Sequence, residues 1–271
     1  MIAITLSGVA GRMGVAIGRA VATSDDIRVA GALGPPNRPY TGHDLGEQLG
    51  TGTQGIVIEG NVGSVLQPGR TWVEFSTPKA SIAHAEQVSD MGLPLLIGTT
   101  GFTDSQVEVI RKYSEHIPCL VGSNMSLGAN LLFLLTEYAA RLVDADADIE
   151  IIESHHRFKR DAPSGTAKDL TESILRGRRQ VYKAVYGRAP SSGPRTNREI
   201  GIHSIRAGDI SGEHTVLFGS IGERIELTHR VQSVDTFAHG TLHAIRFLQD
   251  RPAGLYTMMD VIRSTMNVST D

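Results

Sequence analysis

The chain of 271 residues carries a formal net charge of −3, with 40% hydrophobic and 20% charged residues. That length and apolar content suit one large domain or two modest ones and exclude a disordered chain. With no basic block and no apolar run longer than residues 131–135, neither nucleic acid nor a membrane is an expected partner. Cys119 is the only cysteine, which excludes an internal disulfide and fits a reducing compartment. Its place in an apolar run marks it as a core residue. The apolar start lacks a basic leader and runs straight into glycine-rich sequence, so a cytoplasmic protein is expected.

Residues 1–6 form a short apolar run that predicts a buried parallel strand. Ser7-Gly8-Val9-Ala10-Gly11-Arg12-Met13-Gly14 follows at once, and then Val15, Ile17, Ala20 and Val21 at helical spacing. Gly8, Ala10 or Gly11, and Gly14 supply the tight turn and close helix approach of a dinucleotide-binding βα unit, with a pyrophosphate on the helix N-terminus. A second strand, 27–33, ends where an acidic residue ordinarily grips the adenosine ribose. Here the chain reads Gly34-Pro35-Pro36-Asn37-Arg38. No carboxylate stands there to repel a 2′-phosphate, and Arg38, with Arg12 as a second candidate, could bind one.

Residues 35–55, rich in Gly, Pro and Thr, are expected to form a surface loop. Strands at 71–75, 93–97 and 117–121 end in Ser76-Thr77-Pro78, Gly98-Thr99-Thr100-Gly101 and Gly122-Ser123-Asn124-Met125, with helices at 80–91 and 104–116 between them. This alternation predicts an α/β fold whose N-terminal part is a Rossmann-like, doubly wound parallel sheet. The small polar clusters fall at the carboxyl edge, where such sheets bind ligands. After Ser126 the pattern changes. A long helix at 127–142 leads into period-two strands at 201–207, 213–219 and 224–231, which predict a second α+β domain with an open mixed or antiparallel sheet. Residues 182–198 are expected to be a mobile loop, and helices at 236–248 and 258–263 to return to the first domain. The predicted boundaries are therefore 1–126 with 236–271, and 127–235.

The most informative stretch is 153–166, Glu-Ser-His-His-Arg-Phe-Lys-Arg-Asp-Ala-Pro-Ser-Gly-Thr. A strand delivers His155, His156 and Lys159 beside the start of a helix, whose free N–H groups and dipole can hold a carboxylate. Ser164 and Thr166 add hydroxyls, while Lys159 and the histidines can supply a proton. Ser164-Gly165-Thr166 also reads as a plain N-cap. Neighbouring strand residues point to opposite faces, so joint metal ligation by His155 and His156 is not expected.

On Gly8 to Gly14 (GVAGRMG), Gly98 to Phe102 (GTTGF), Glu150 to Ala167 (EIIESHHRFKRDAPSGTA) and Arg206 to Thr215 (RAGDISGEHT), the chain resembles the 4-hydroxy-tetrahydrodipicolinate reductase family over essentially its whole length. The resemblance implies reduction of a cyclic imino dicarboxylate in the diaminopimelate route to lysine. It implies cofactor contacts at Gly8, Val9, Ala10, Gly11, Arg12 and Met13, at Gly98, Thr99 and Thr100, and at Gly122, Ser123, Asn124 and Met125. It gives proton-transfer roles to His155 and Lys159, and substrate contacts to His156, Gly165 and Thr166, with Ser164 beside them. It makes 127–235 a substrate-binding and oligomerisation domain, and a homotetramer is expected. NADPH is the expected cofactor, with NADH also accepted. Two departures stand out: Gly34-Pro35 replaces an acidic-basic pair, and Val234 stands where an arginine is frequent. They leave open a paralogous reductase of another cyclic imine or keto acid. A nicotinamide-binding regulatory protein without turnover is a further alternative, against which the retained His155, Lys159 and Thr166 argue.

Overall fold

The computed structural model describes residues 1–265. In chain order the elements are β1 (Ile2–Ser7), α1 (Arg12–Ala22), β2 (Ile27–Leu33), α2 (Leu45–Leu49), β3 (Ile58–Glu59), α3 (Val62–Val65), β4 (Thr71–Glu74), α4 (Pro78–Asp90), β5 (Leu95–Ile97), α5 (Asp104–Ser114) and β6 (Pro118–Val121). They continue as α6 (Leu127–Leu142), β7 (Asp148–His155), α7 (Gly165–Arg178), β8 (Lys183–Tyr186), β9 (Glu199–Arg206), β10 (Gly212–Ser220), β11 (Glu223–Val231), α8 (Asp235–Leu248), β12 (Gly254–Tyr256) and α9 (Met258–Thr265). The chain divides into two compact units: Met1–Leu127 together with the chain from Val234 onward, and Gly128–Ser233.

The first unit is a seven-stranded sheet in the order β12-β6-β5-β4-β1-β2-β3, with every neighbouring pair parallel. Its strands read as near-continuous apolar runs because helices cover both faces. One core joins Ile4, Leu6, Ile17 and Val73 to Ala238, Leu242, Ile245 and Leu248 of α8. The other joins Trp72, Val88, Leu95, Ile97, Ile110 and Cys119. Burial pushes the Cys119 thiol up to about 12, so it stays a neutral core group.

The stretch at 35–55 is not the plain surface loop expected from composition. Asp44 caps α2 by accepting from the N–H groups of Gly46 and Glu47, and it also holds Gln54 and Ile56, which folds the segment back on itself. Leu45 and Leu49 are thereby fully buried.

The second unit is a five-stranded mixed sheet in the order β11-β10-β7-β9-β8. The β11-β10-β7 pairs are antiparallel, and the β7-β9-β8 pairs are parallel. Here too a loop expectation is corrected, because β8 lies inside 182–198. Its order comes from parallel pairing of residues 183–186 with 199–202, a partner that local composition does not reveal. Helix α7 packs against α6, where Gly177 lets the helices approach: an added Cβ would meet the Glu137 carbonyl and the Ala140 methyl. Arg178 donates to the Val143 and Asp144 carbonyls just beyond the end of α6.

Candidate active site

In the first unit, Gly8 carries the turn after β1 with φ +82, a conformation in which a Cβ would also collide with the Phe75 carbonyl. Gly14 lets α1 start directly over that turn, since a Cβ there would collide with the Gly8 carbonyl. The N-cap of α1 is Gly11, with no side-chain cap and no acidic residue in the first turn. Its first N–H groups and dipole are thus left to an anion from outside the helix. A cavity of about 520 Å³ opens at this point, lined by Gly8, Ala10 and Gly11 on one side and by Gly34, Pro35 and Tyr40 on another.

The other glycine-loop residues hold the frame. Val9 is fully buried in the core, Met13 packs against that core, and Arg12 is exposed. Gly34 has a steric cause: an added Cβ would sit 2.8 Å from the Tyr40 ring and 3.3 Å from Ile58. Tyr40 occupies the space that an acidic side chain would need. Arg38 is exposed on the same turn and does not line the cavity.

Gly98, Thr99 and Thr100 follow β5, and Gly122 to Met125 follow β6, so both stand at the same carboxyl edge. Neither group lines the cavity at the glycine turn. Thr99 is buried, with its hydroxyl on the Ser81 hydroxyl and the Glu74 carbonyl, and Met125 belongs to the core. Ser123 is exposed, and the Asn124 side chain accepts from the Ser126 N–H. Val234 precedes α8 without a side-chain cap.

In the second unit the organising group is one that sequence reading passed over. Glu153 lies two residues before His155 on β7, hence on the same strand face, and is completely buried. Arg206, at the end of β9, donates to both carboxylate oxygens at 2.7 and 2.8 Å. The Ser164 N–H donates to one oxygen at 3.1 Å, and His155 Nδ1 lies 2.6 Å from the other. Burial works against the charge, but the bonds from Arg206, Ser204 and His155 outweigh it and hold the Glu153 carboxyl at about 2.

Because an ionised Glu153 can only accept, Nδ1 of His155 carries a proton and Nε2 is left on the other side of the ring. An added Cβ at Gly212 would lie 3.2 Å from that Nε2, so glycine leaves it room. Burial lowers the His155 pKa, with Lys159 and Arg206 acting the same way against the opposing pull of Glu153. A neutral His155 therefore presents Nε2 as an acceptor.

Ser164 is the N-cap of α7, and its Oγ accepts from the Ala167 N–H. Its single hydroxyl proton is left for His214 Nε2, 3.0 Å away. His214 is pushed down to about 3, chiefly by burial and then by His155, and so stays neutral. Ser164 is 2% exposed, so its hydroxyl is spent inside the fold. Gly165 differs: it is exposed, with open space where a Cβ would be. Thr166, next to it in the chain, is partly exposed, and so is His156 on the other side of the turn.

Lys159 folds back through its N–H to the His156 carbonyl and places Nζ 2.9 Å from Asp161. That ion pair is the main cause of a lowered Asp161 carboxyl. Glu153, His155 and His214 present ligand-type atoms within 4.8 Å of one another. The Arg206 guanidinium on both Glu153 oxygens already supplies the positive charge there, which does not fit a metal centre.

Two family models cover the chain. One described as "Dihydrodipicolinate reductase, N-terminus" matches residues 2–125, and one described as "Dihydrodipicolinate reductase, C-terminus" matches 128–262. The 4-hydroxy-tetrahydrodipicolinate reductase of Nitrosomonas europaea is 43% identical over 261 residues, 96% of this chain and 97% of its own. The chain belongs to the dihydrodipicolinate reductase family. Another relative of the same name, from Syntrophus aciditrophicus, is 39% identical over 97% of this chain and 98% of its own. The fold of dipicolinate-bound dihydrodipicolinate reductase from Paenisporosarcina sp. TG-14 matches with a TM-score of 0.76 at 24% identity, covering 95% of this chain and 97% of that one. Dihydrodipicolinate reductases are pyridine-nucleotide-dependent oxidoreductases that carry out the reduction step of lysine and diaminopimelate biosynthesis.

The residues of the first unit fit such a dinucleotide. An uncapped helix start, a turn that only glycine can form and an adjoining cavity are what a pyrophosphate and its nucleoside need.

Proposed function

We propose that this reductase takes 4-hydroxy-tetrahydrodipicolinate to tetrahydrodipicolinate with NADPH, NADH being accepted less well. The carrying observation is the stretch from Glu153 to Thr166, which holds a fixed histidine, a lysine and the exposed Gly165 at the start of α7. When bound, the reduced nicotinamide would supply a hydride to ring C4 of the conjugated imine that remains once the C4 hydroxyl and a C5 hydrogen have left together as water.

The chain's own residues do the rest. Gly165, Thr166 and the α7 N-terminus receive a ring carboxylate, with His156 as a further contact. Lys159, released from Asp161, delivers the proton to the developing enamine. Neutral His155 accepts a hydrogen bond at Nε2 and orients the group beside it, rather than donating a proton itself. Each charge-assisted bond contributes roughly 1.5–3 kcal/mol. Oxidation of NADPH with freshly generated 4-hydroxy-tetrahydrodipicolinate tests the reading, and a chain that binds NADPH but leaves this substrate unreduced would refute it.

Cofactor preference rests on Gly34 and Tyr40, which leave no carboxylate to repel a 2′-phosphate. Arg38 stands on the turn whose Pro35, Pro36 and Tyr40 line the cavity. Being exposed, its contact is screened and worth little. Arg38→Ala should raise KM for NADPH roughly two- to fivefold and leave that for NADH unchanged. Equal effects on both cofactors would reduce Arg38 to a loop arginine.

The tetramer is part of the same proposal. Ile152 and Ile205 share one face of the second sheet and are 36% and 45% exposed, with a polar Thr215–Thr228 pair alongside. A second copy of this sheet is the occupant we assign to that face. A cytoplasmic location fits this chemistry, and among the described residues no helix is long and apolar enough to cross a membrane.

A further inference from the structure

Glu74 ends β4 with its side chain completely buried, and the chemistry above does not use it. Four donors converge on its carboxylate. Ser7 Oγ at 3.1 Å and the Ser76 N–H at 3.0 Å meet Oε1, while Trp72 Nε1 at 2.9 Å and His84 Nδ1 at 2.7 Å meet Oε2. Burial alone would raise this carboxyl, yet the bonds from His84, Ser76 and Trp72 bring it below its ordinary value.

Such an arrangement is dear for a fold to keep, because a buried carboxylate is tolerated only when fully paired. Apolar residues of similar volume would fill the same space without that demand. What sets Glu74 apart is whom it holds. Ser7, Ser76 and His84 all line the cavity at the glycine turn, whereas Glu74 is not among the lining residues. Ser7 is the last residue before Gly8, and Ser76 opens the turn into α4. The Glu74 backbone carbonyl also accepts from the Gly98 N–H and the Thr99 hydroxyl.

His84 is the informative partner. Its Nδ1–H is committed to Glu74, and its ring packs edge-on against Trp72 at 5.6 Å. The ring therefore has one orientation and one remaining nitrogen, Nε2. Among the described residues lining the cavity, Tyr40 and His84 are the only ionisable side chains.

We propose that Glu74 is a positioning residue of the cofactor cavity, orienting His84 so that its Nε2 hydrogen-bonds a polar atom of the bound dinucleotide. The inference rests on the nicotinamide-dinucleotide reading of that cavity. Glu74 thereby ties the glycine turn, the β4–α4 turn and the loop after β5 to one carboxylate, and His84 is the contact it sets.

The test is a double-mutant cycle read by NADPH binding, with the fluorescence of the reduced nicotinamide reporting Kd in the absence of turnover. His84→Ala should raise Kd roughly three- to tenfold, the worth of one hydrogen bond, with kcat at saturating cofactor within about twofold of wild type. Glu74→Gln, which cannot accept from four donors, should raise Kd by a similar factor. The double variant should bind no worse than the weaker single one. Unchanged Kd in His84→Ala overturns the contact, and penalties that multiply overturn the claim that Glu74 acts through His84.

Should Glu74→Gln fail to fold, Trp72→Phe removes one bond to the carboxylate without touching the cavity. It should raise Kd in the wild-type background and not in His84→Ala, and equal increases in both would overturn the proposal. A wild-type chain that binds no NADPH refutes the dinucleotide reading itself. Normal wild-type binding with indifferent variants refutes only the part given to Glu74 and His84.

Discussion

Replacing Lys159 by alanine is expected to lower kcat by roughly 10²–10⁴-fold, the usual worth of a positioned acid. The side chain is 22% exposed and sits on Asp161 at 2.9 Å, at the end of the turn that follows His155. The cavity proposed for the cofactor includes none of these residues, so Kd for NADPH should stay within about twofold. Lys159→Arg separates charge from proton delivery. A guanidinium keeps the attraction for a carboxylate and does not release a proton near neutral pH, so substrate KM should recover more than kcat. Turnover near wild type in Lys159→Ala would end the assignment.

The largest stability effect is expected at Glu153. Glu153→Ala leaves the Arg206 guanidinium, itself 19% exposed, without its carboxylate, and Nε of that arginine already lacks a partner. Breaking such a pair costs about 3–5 kcal/mol. It should appear as a lower urea midpoint for the second unit, followed by a probe in that unit because two-state behaviour of the whole chain is not assumed. The pH dependence supplies a second signature. The folded carboxyl lies at about 2 against an ordinary 4.5, so folding binds fewer protons than unfolding in that interval. The stabilisation is complete above pH 4.5 and is lost as pH falls toward 2. Wild type should lose this increment on acidification and Glu153→Ala should have none to lose. Parallel acid profiles for the two proteins would show that Glu153 is not the titrating group. Activity should fall as well, because His155 loses the acceptor that fixes its Nδ1 proton.

Much of the first unit was legible because its signals are local. A buried run before GVAGRMG and a helical period after it lead to one structure, and each later strand ends in small polar residues at the carboxyl edge. The central motif was equally legible, since His155, Lys159 and Gly165 lie within eleven residues of one another. What escaped were pairings over distance. Glu153 read as one more strand residue, and its chief partner, Arg206, which makes the buried charge tolerable together with His155 and the Ser164 N–H, is 53 positions away. Glu74 likewise lies unremarked inside the strand predicted at 71–75, and its partner Ser7 is 67 positions earlier, across the sheet. Strand β8 was hidden for the same reason. Ser164 had two readings in the sequence, a hydroxyl for substrate or a plain N-cap; its Oγ accepts from the Ala167 N–H and lies 3.0 Å from His214, as the second reading requires.

The first unit is interrupted, and that governs the order in which the protein can be completed during synthesis. Its first 127 residues leave the ribosome without α8, whose Ala238, Leu242, Ile245 and Leu248 share the core of Ile4 and Ile17. They also lack β12, so β6 is an unpaired edge until residues 254–256 arrive. The second unit, by contrast, is continuous and has all its strands by Val231. Nascent chains arrested after Ser233 and exposed from the tunnel should resist protease within 128–233 while remaining cleavable within 1–127, and uniform protection would contradict this order. The part of the enzyme begun first is thus finished last. A chain stopped between Ser233 and Gly254 would leave the first unit with its core or its β6 edge incomplete, as a chaperone client, while the second unit is already folded.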